Sequence, residues 1–260
     1  MGLVAANPLS RITARMIERD VTVSIDQAWF AAKIKRALEL RARLFDAPFY
    51  RLIHAEADGL PGLVVDRFGD ALVVQPNAAW LEILLQPLSA ALAEVTGVTI
   101  ILKNAAGRTR ALEGLDDENT VLLGAAPDAP IMVPMNGAKY AADLTGGQKT
   151  GLFYDQRPNH AFAARLSAGA DVLDVFSHVG GFGLAALAGG ANSALCVDGS
   201  APALALAEQG AVESGFGDKM STRKGDAFDA LEALGREGAQ YDVVICDPPA
   251  FAPSKAKLEV

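Results

Sequence analysis

Apolar side chains recur at every second position in some stretches of the chain and at every third or fourth in others, and the two rhythms predict its elements. Arg11–Met16 and Val21–Ile25 are short β-compatible pieces. Asp26 is placed to cap a helix from about Ala28 to Phe45, with Phe30, Ile34, Leu38 and Leu40 on its apolar side. The period then becomes strand-like over Tyr50–Ile53, Gly62–Val65 and Leu72–Gln75, with a turn at Asp66-Arg67-Phe68-Gly69-Asp70. A helix over Ala79–Val95 and a strand over Val98–Lys103 follow, and residues 104–130 read as loops with short strands. Asn136-Gly137 suits a tight primed turn, so Ile131–Pro134 and Lys139–Leu144 predict a hairpin.

After residue 170 strands and helices alternate. Val172–Phe176, Ala194–Val197, about Met220–Arg223 and Tyr241–Cys246 read as strands, and Gly181–Ala188, Pro202–Ser214 and Asp226–Leu234 as the helices between them. That order predicts an α/β fold: a mostly parallel, doubly wound sheet preceded by a smaller α+β domain, with the boundary somewhere in residues 145–165. A sheet ending at Tyr241–Cys246 has a long apolar edge, so either a fragment of a longer enzyme or pairing of that edge with another chain, as in a homodimer, is expected.

A net charge of -8 argues against nucleic acid adhering over the whole surface. A local basic face remains open to Arg11, Arg15, Lys33, Lys35, Arg41 and Arg43. Cys196 and Cys246 both lie in apolar runs and read as buried filler, which excludes a disulfide scaffold or a cysteine zinc site. With three histidines in the chain, no metal is expected. Neither a leader arrangement nor an apolar run of the ~20 residues a membrane span needs is present, so a cytoplasmic protein is expected.

In open α/β sheets, ligands bind beyond the carboxyl ends of the strands, near a switch in strand order. Here an acidic residue stands at or near each such end: Asp174, Asp198, Asp226 and Asp247. A carboxylate after the second strand can accept both ribose hydroxyls of a nucleoside cofactor, and glycines after the first let the backbone approach its other end. Gly181-Phe182-Gly183 is only half of a dinucleotide fingerprint, because Ala186 stands where the third glycine belongs, and Gly147-Gln148-Lys149-Thr150 lacks the glycine spacing of a phosphate loop. Asp247-Pro248-Pro249-Ala250-Phe251 forms a rigid ledge after a strand, against which a flat base could stack, with Lys255 and Lys257 beyond it for phosphates.

Residues 147–157 (GQKTGLFYDQR), 172–182 (VLDVFSHVGGF), 197–200 (VDGS), 247–251 (DPPAF) and Ser254-Lys255 resemble the RlmI-like class I S-adenosylmethionine-dependent rRNA methyltransferases, as does 51–69 (RLIHAEADGLPGLVVDRFG). The resemblance covers roughly residues 5–260. It implies an incomplete Rossmann-like class I methyltransferase sheet, S-adenosyl-L-methionine as cofactor, and large-subunit rRNA as partner. It further implies a remnant of a PUA-like domain over 1–25, a central α+β domain over 26–150 and a partial methyltransferase domain over 151–260.

By the same resemblance, Asp174 and the Gly180-Gly181 turn would face the methionine part of the cofactor, Asp198 the ribose, and Asp226 with Ala227 the adenine, while Lys149 would bind the cofactor from the segment that closes over cofactor and substrate. Arg157, Asp247, Pro248, Pro249, Phe251 and Lys255 would meet the substrate, with Asp247 catalytic. The family's C5 methylation of cytosine needs a thiolate at C6. Its cysteine follows a fifth strand, beyond Val260, so this chain alone is expected to be inactive. A noncatalytic RNA-binding or scaffold protein with a methyltransferase-like half-domain is the alternative.

Overall fold

A computed structural model describes residues 1–146 and 151–249; Lys149, Phe251 and Lys255 lie outside the described residues. The chain divides into two units, one of Met1–Ala129 with Asp143–Tyr154, the other of Pro130–Ala142 with the chain from Asp155 onward.

In the first unit, β1 (Leu3–Ala6) pairs antiparallel with β2 (Ala14–Glu18). Val21–Ile25 is not a strand. The Asp20 carboxylate accepts from the Thr22 amide at 2.9 Å and from its hydroxyl at 2.7 Å, and these local bonds turn the chain out of an extended path. Helix α1 (Gln27–Leu44) starts where Asp26 accepts from the Trp29 amide at 3.0 Å; it buries Phe30 and Ile34 and leaves Leu40 exposed.

Five strands, β3 (Phe49–His54), β4 (Leu63–Phe68), β5 (Ala71–Pro76), β6 (Ile100–Lys103) and β7 (Thr120–Leu123), form a mixed sheet in sequence order. Only β5 and β6 run parallel. The turn between β4 and β5 is two residues, Gly69-Asp70, rather than five, because Asp66 is a buried strand residue bonded to Arg51 at 2.9 Å. The helix expected over 79–95 is broken at Leu84 into α2 (Ala79–Ile83) and α3 (Leu85–Thr96). Pro87 explains the break: it has no N–H for the Ile83 carbonyl, and its ring would clash with that carbonyl in a continuous helix. A four-residue helix α4 (Arg108–Ala111), not expected from the sequence, precedes β7. Phe30, Ile34, Leu52, Val65, Leu72, Val74, Leu88 and Leu92 join α1, α3 and the sheet in one core.

The second unit begins with a hairpin of β8 (Ile131–Met135) and β9 (Ala138–Ala142), joined by Asn136 at φ 52° and Gly137 at φ 80°, both signs that a primed turn demands. The hairpin groups with the unit that follows it. After α5 (Arg157–Leu166), strands β10 (Asp171–Val175), β11 (Ser193–Asp198), β12 (Met220–Lys224) and β13 (Val243–Cys246) alternate with α6 (Gly181–Ala188), α7 (Ala201–Glu213) and α8 (Ala227–Arg236). All four strands are parallel, in the order β12-β11-β10-β13. Val172 and Ala194 pack on α6 from one face of the sheet, while Leu173, Val175 and Val197 pack on α8 from the other.

Among the described residues β13 ends this sheet, with Val244 56% exposed and a groove of about 680 Å³ beside it lined by Leu173, Leu231, Leu234, Tyr241 and Val244. Cys196 is buried as expected, but Cys246 is exposed, because it stands at the end of a strand with a neighbour on only one side. No helix among the described residues is long and apolar enough to cross a membrane.

Candidate cofactor site

Strand β10 occupies the pivot of the second sheet. The chain moves from it through β11 to β12 on one side and returns on its other side as β13, so the order reverses at β10 and β13. Register places Asp174 level with Cys196 of β11 and Ile245 of β13, and Asp198 and Asp247 each follow two residues later. Asp226 follows the last residue of β12, Lys224, which is level with Asp198. The four acidic residues expected from the sequence therefore share one rim of the sheet.

Each is held differently. Asp174 is buried on the α6 face, and one carboxylate oxygen, Oδ2, accepts from the Gly183 amide at 2.9 Å. Its Oδ1 has no hydrogen-bond partner. Burial pushes this carboxyl up to about 7; the amides of Gly183 and Phe182 oppose the shift, and the charges of Asp198 and Asp247 add to it. Asp198 ties two loops together, its Oδ2 accepting from the His178 amide and its Oδ1 from the Ser200 amide, both at 2.8 Å. Asp226 caps α8, accepting from the Phe228 amide at 2.9 Å, and is exposed above buried Ala227. Asp247, Pro248 and Pro249 are exposed beyond β13, and Arg157 opens α5 half-buried.

Between β10 and α6 the backbone is strained. Phe176 and His178 hold φ at 63° and 50°, in a region that side chains with a Cβ rarely enter, and such residues concentrate at functional sites. Gly180 follows at φ 75° as the N-cap of α6. The space that the absent Cβ atoms leave is not open to a ligand. A Cβ on Gly180 would lie 3.0 Å from the Ala207 Cβ, and one on Gly181 would lie 2.7 Å from Nε2 of His160. These glycines serve close packing within the protein, and the turn has only its backbone to offer a ligand. Gly183 is constrained likewise: a Cβ would stand 2.6 Å from the Cys196 sulfur. Tyr140 and His160, which meet this turn, carry no pattern that marks them in the sequence; their neighbours are set by the fold.

Three of the six residues considered for a basic face are engaged elsewhere: Arg15 with Glu113 at 2.7 Å, Lys33 with Glu18 at 3.1 Å and Arg41 with Asp58 at 2.7 Å. No metal-ligating cluster occurs among the described residues.

A parallel sheet whose carboxylates gather where its strand order reverses defines a Rossmann-like unit, a fold in which ligands bind at that reversal. The profile of the S-adenosylmethionine-dependent methyltransferases matches residues 76–258, and the chain belongs to that family. Among its relatives is the Ribosomal RNA large subunit methyltransferase I of Vibrio cholerae, 37% identical over 266 residues, which cover 100% of this chain and 66% of the relative. The protein of the same name from Aeromonas salmonicida is 36% identical, over 96% of this chain and 64% of its own length. This chain thus spans just under two thirds of these curated relatives. Its fold is that of a Streptococcus mutans structure provisionally named a SAM-dependent methyltransferase, with a TM-score of 0.82 and 22% identity over 95% of this chain and 65% of the other. A second such methyltransferase structure, complexed with SAH, matches at a TM-score of 0.83 and 23% identity, over 98% and 66%.

Proposed function

We propose that this chain is the cofactor-binding part of an S-adenosylmethionine-dependent methyltransferase that acts on large-subunit rRNA, at C5 of a cytosine. The observation that carries the reading is the shared rim of Asp174, Asp198, Asp226 and Asp247, supported by the names of the relatives. The donor set fits the cofactor. S-adenosylmethionine carries an ammonium group and a ribose diol, from which carboxylates accept hydrogen bonds, and Asp174 keeps a buried oxygen without a partner.

When bound, the cofactor supplies an electrophilic methyl group. In this reading Asp198, already fixed by two amides, accepts from the ribose hydroxyls, and Asp226 and Ala227 border the adenine. Asp174 and the Gly180-Gly181 turn meet the amino-acid end, and Lys149 is a further cofactor-binding residue. The target base lies on Asp247, Pro248, Pro249 and Phe251, while Arg157 and Lys255 meet RNA phosphates. Residues 1–25 belong with a PUA-like RNA-binding module. Neither cysteine suits the attack on C6: Cys196 is enclosed, its thiol pushed well up by burial, and Cys246 is level with Val175, on the α8 face opposite Asp174. The chain alone therefore binds cofactor without turning over.

Calorimetric titration of the chain with S-adenosylhomocysteine is expected to give saturable binding, and no heat at millimolar ligand would overturn the cofactor assignment. In the full-length gene product, methylation of RNA carrying 5-tritiated cytosine should release tritium to water. Methyl incorporation without that release would overturn the C5 assignment and leave the methyltransferase reading intact.

A further inference from the structure

One buried polar cluster of the second unit has no part in the chemistry above. Tyr140, in the middle of β9, is wholly enclosed, and its hydroxyl donates to the Gly181 carbonyl at 3.3 Å. His160, in the first turn of α5, is 6% exposed, and its ring fills the place of a Gly181 side chain: a Cβ there would lie 2.7 Å from Nε2 and 2.8 Å from Cε1. The His160 ring lies nearly parallel to that of Tyr140, with centroids 6.3 Å apart, and meets Phe182 edge-on at 4.5 Å. Two elements that contribute none of the rim carboxylates thus converge on a single peptide of the glycine turn.

Apolar side chains of similar volume would fill these places without the cost of burying polar atoms, and Nδ1 of His160 has no hydrogen-bond partner. The polar groups act instead on the orientation of the backbone. The peptide between Gly181 and Phe182 is held at its carbonyl by the Tyr140 hydroxyl, while its amide acts electrostatically on the Asp174 carboxyl. Tyr140 is itself immobilised, because the hairpin is tied on two sides: Asn136 donates to the Arg157 carbonyl at 2.9 Å, and the Lys139 amide donates to Ser214 Oγ at 2.8 Å. Both side chains are uncharged at neutral pH. Burial holds the Tyr140 hydroxyl far above its usual range and pushes His160 down to about 4, against the opposing charge of Asp155.

We infer that Tyr140 and His160 are positioning residues for the amino-acid end of the cofactor: they lock the Gly180-Gly181 turn in place from beneath, while the nucleoside end is held independently by the Asp198 and Asp226 loops. The inference rests on the cofactor reading proposed above.

Two ligands separate the ends. S-adenosylhomocysteine has both, and 5′-methylthioadenosine has the same nucleoside without the amino acid. Tyr140→Phe removes one oxygen and keeps the ring, so its melting temperature is expected to stay within a few degrees of wild type. Its affinity for S-adenosylhomocysteine should fall about fivefold, the effect of one hydrogen bond, with the affinity for 5′-methylthioadenosine unchanged. His160→Gln should show the same split, and if it does not fold, Tyr140→Phe decides alone. Equal losses for the two ligands, or none for S-adenosylhomocysteine, would overturn the positioning role. A wild-type chain that binds neither ligand would overturn the cofactor reading itself, and the positioning role with it.

Discussion

Asp174 and His160 are enclosed ionisable groups whose burial shifts them in opposite directions. Asp174 goes from an ordinary 3.8 to about 7, so between those values the folded chain keeps a proton that the unfolded chain has released. Its contribution to stability is fully present below pH 4 and is lost as the pH rises through 7. His160 goes from 6.5 to about 4, so its contribution is present above pH 6.5 and lost as the pH falls through 4. Between pH 5 and 6.5 the two slopes oppose each other. In melting curves over this window, Asp174→Asn is expected to leave a midpoint that rises with pH, and His160→Gln one that falls with pH. Variant curves running parallel to wild type would refute the assignment. Asp174 was legible in the sequence because a carboxylate inside an apolar strand breaks the pattern of its neighbours. Tyr140 and His160 were not, since what distinguishes them is contact with residue 181, some 41 and 21 positions away. Cys246 was misread for a related reason: a strand's composition does not tell how many neighbours it has.

The same division holds for whole elements. The β8–β9 turn was legible from Asn136-Gly137, and the first helix from Asp26, because each is fixed by backbone demands that few residues meet. The break at Leu84 was missed because apolar spacing continues through it while Pro87 does not allow the helix to. The partner of the hairpin was not legible at all. It rests on α7 at Gly210, where a Cβ would lie 2.8 Å from the Lys139 carbonyl and 3.0 Å from Leu184 Cδ1. Gly210→Ala should therefore cost about 1–3 kcal/mol in denaturant unfolding. Gly235→Ala, in α8 with nothing within 4 Å of its Cβ, should instead gain about 0.5–1 kcal/mol. Equal effects would show that the hairpin does not press on α7.

Over the whole molecule, strand and helix order was enough to recover a parallel sheet and the rim where its acidic residues gather, since alternation of the two periods is a property of the chain itself. The two units interleave along the chain, since residues 130–142 enter the second before residues 143–154 rejoin the first. Hydrogen exchange with and without S-adenosylhomocysteine should follow this division. Added protection is expected at amides of the loops after β10, β11 and β12 and not in β3–β7; uniform protection would contradict the proposed site. Interleaving also bears on biosynthesis. Tyr140 leaves the ribosome about 70 residues before α7, against which its strand lies, is complete. At the ~5–20 residues per second of translation, the hairpin's apolar face would wait several seconds without its support. During that interval it is a natural client for a nascent-chain chaperone.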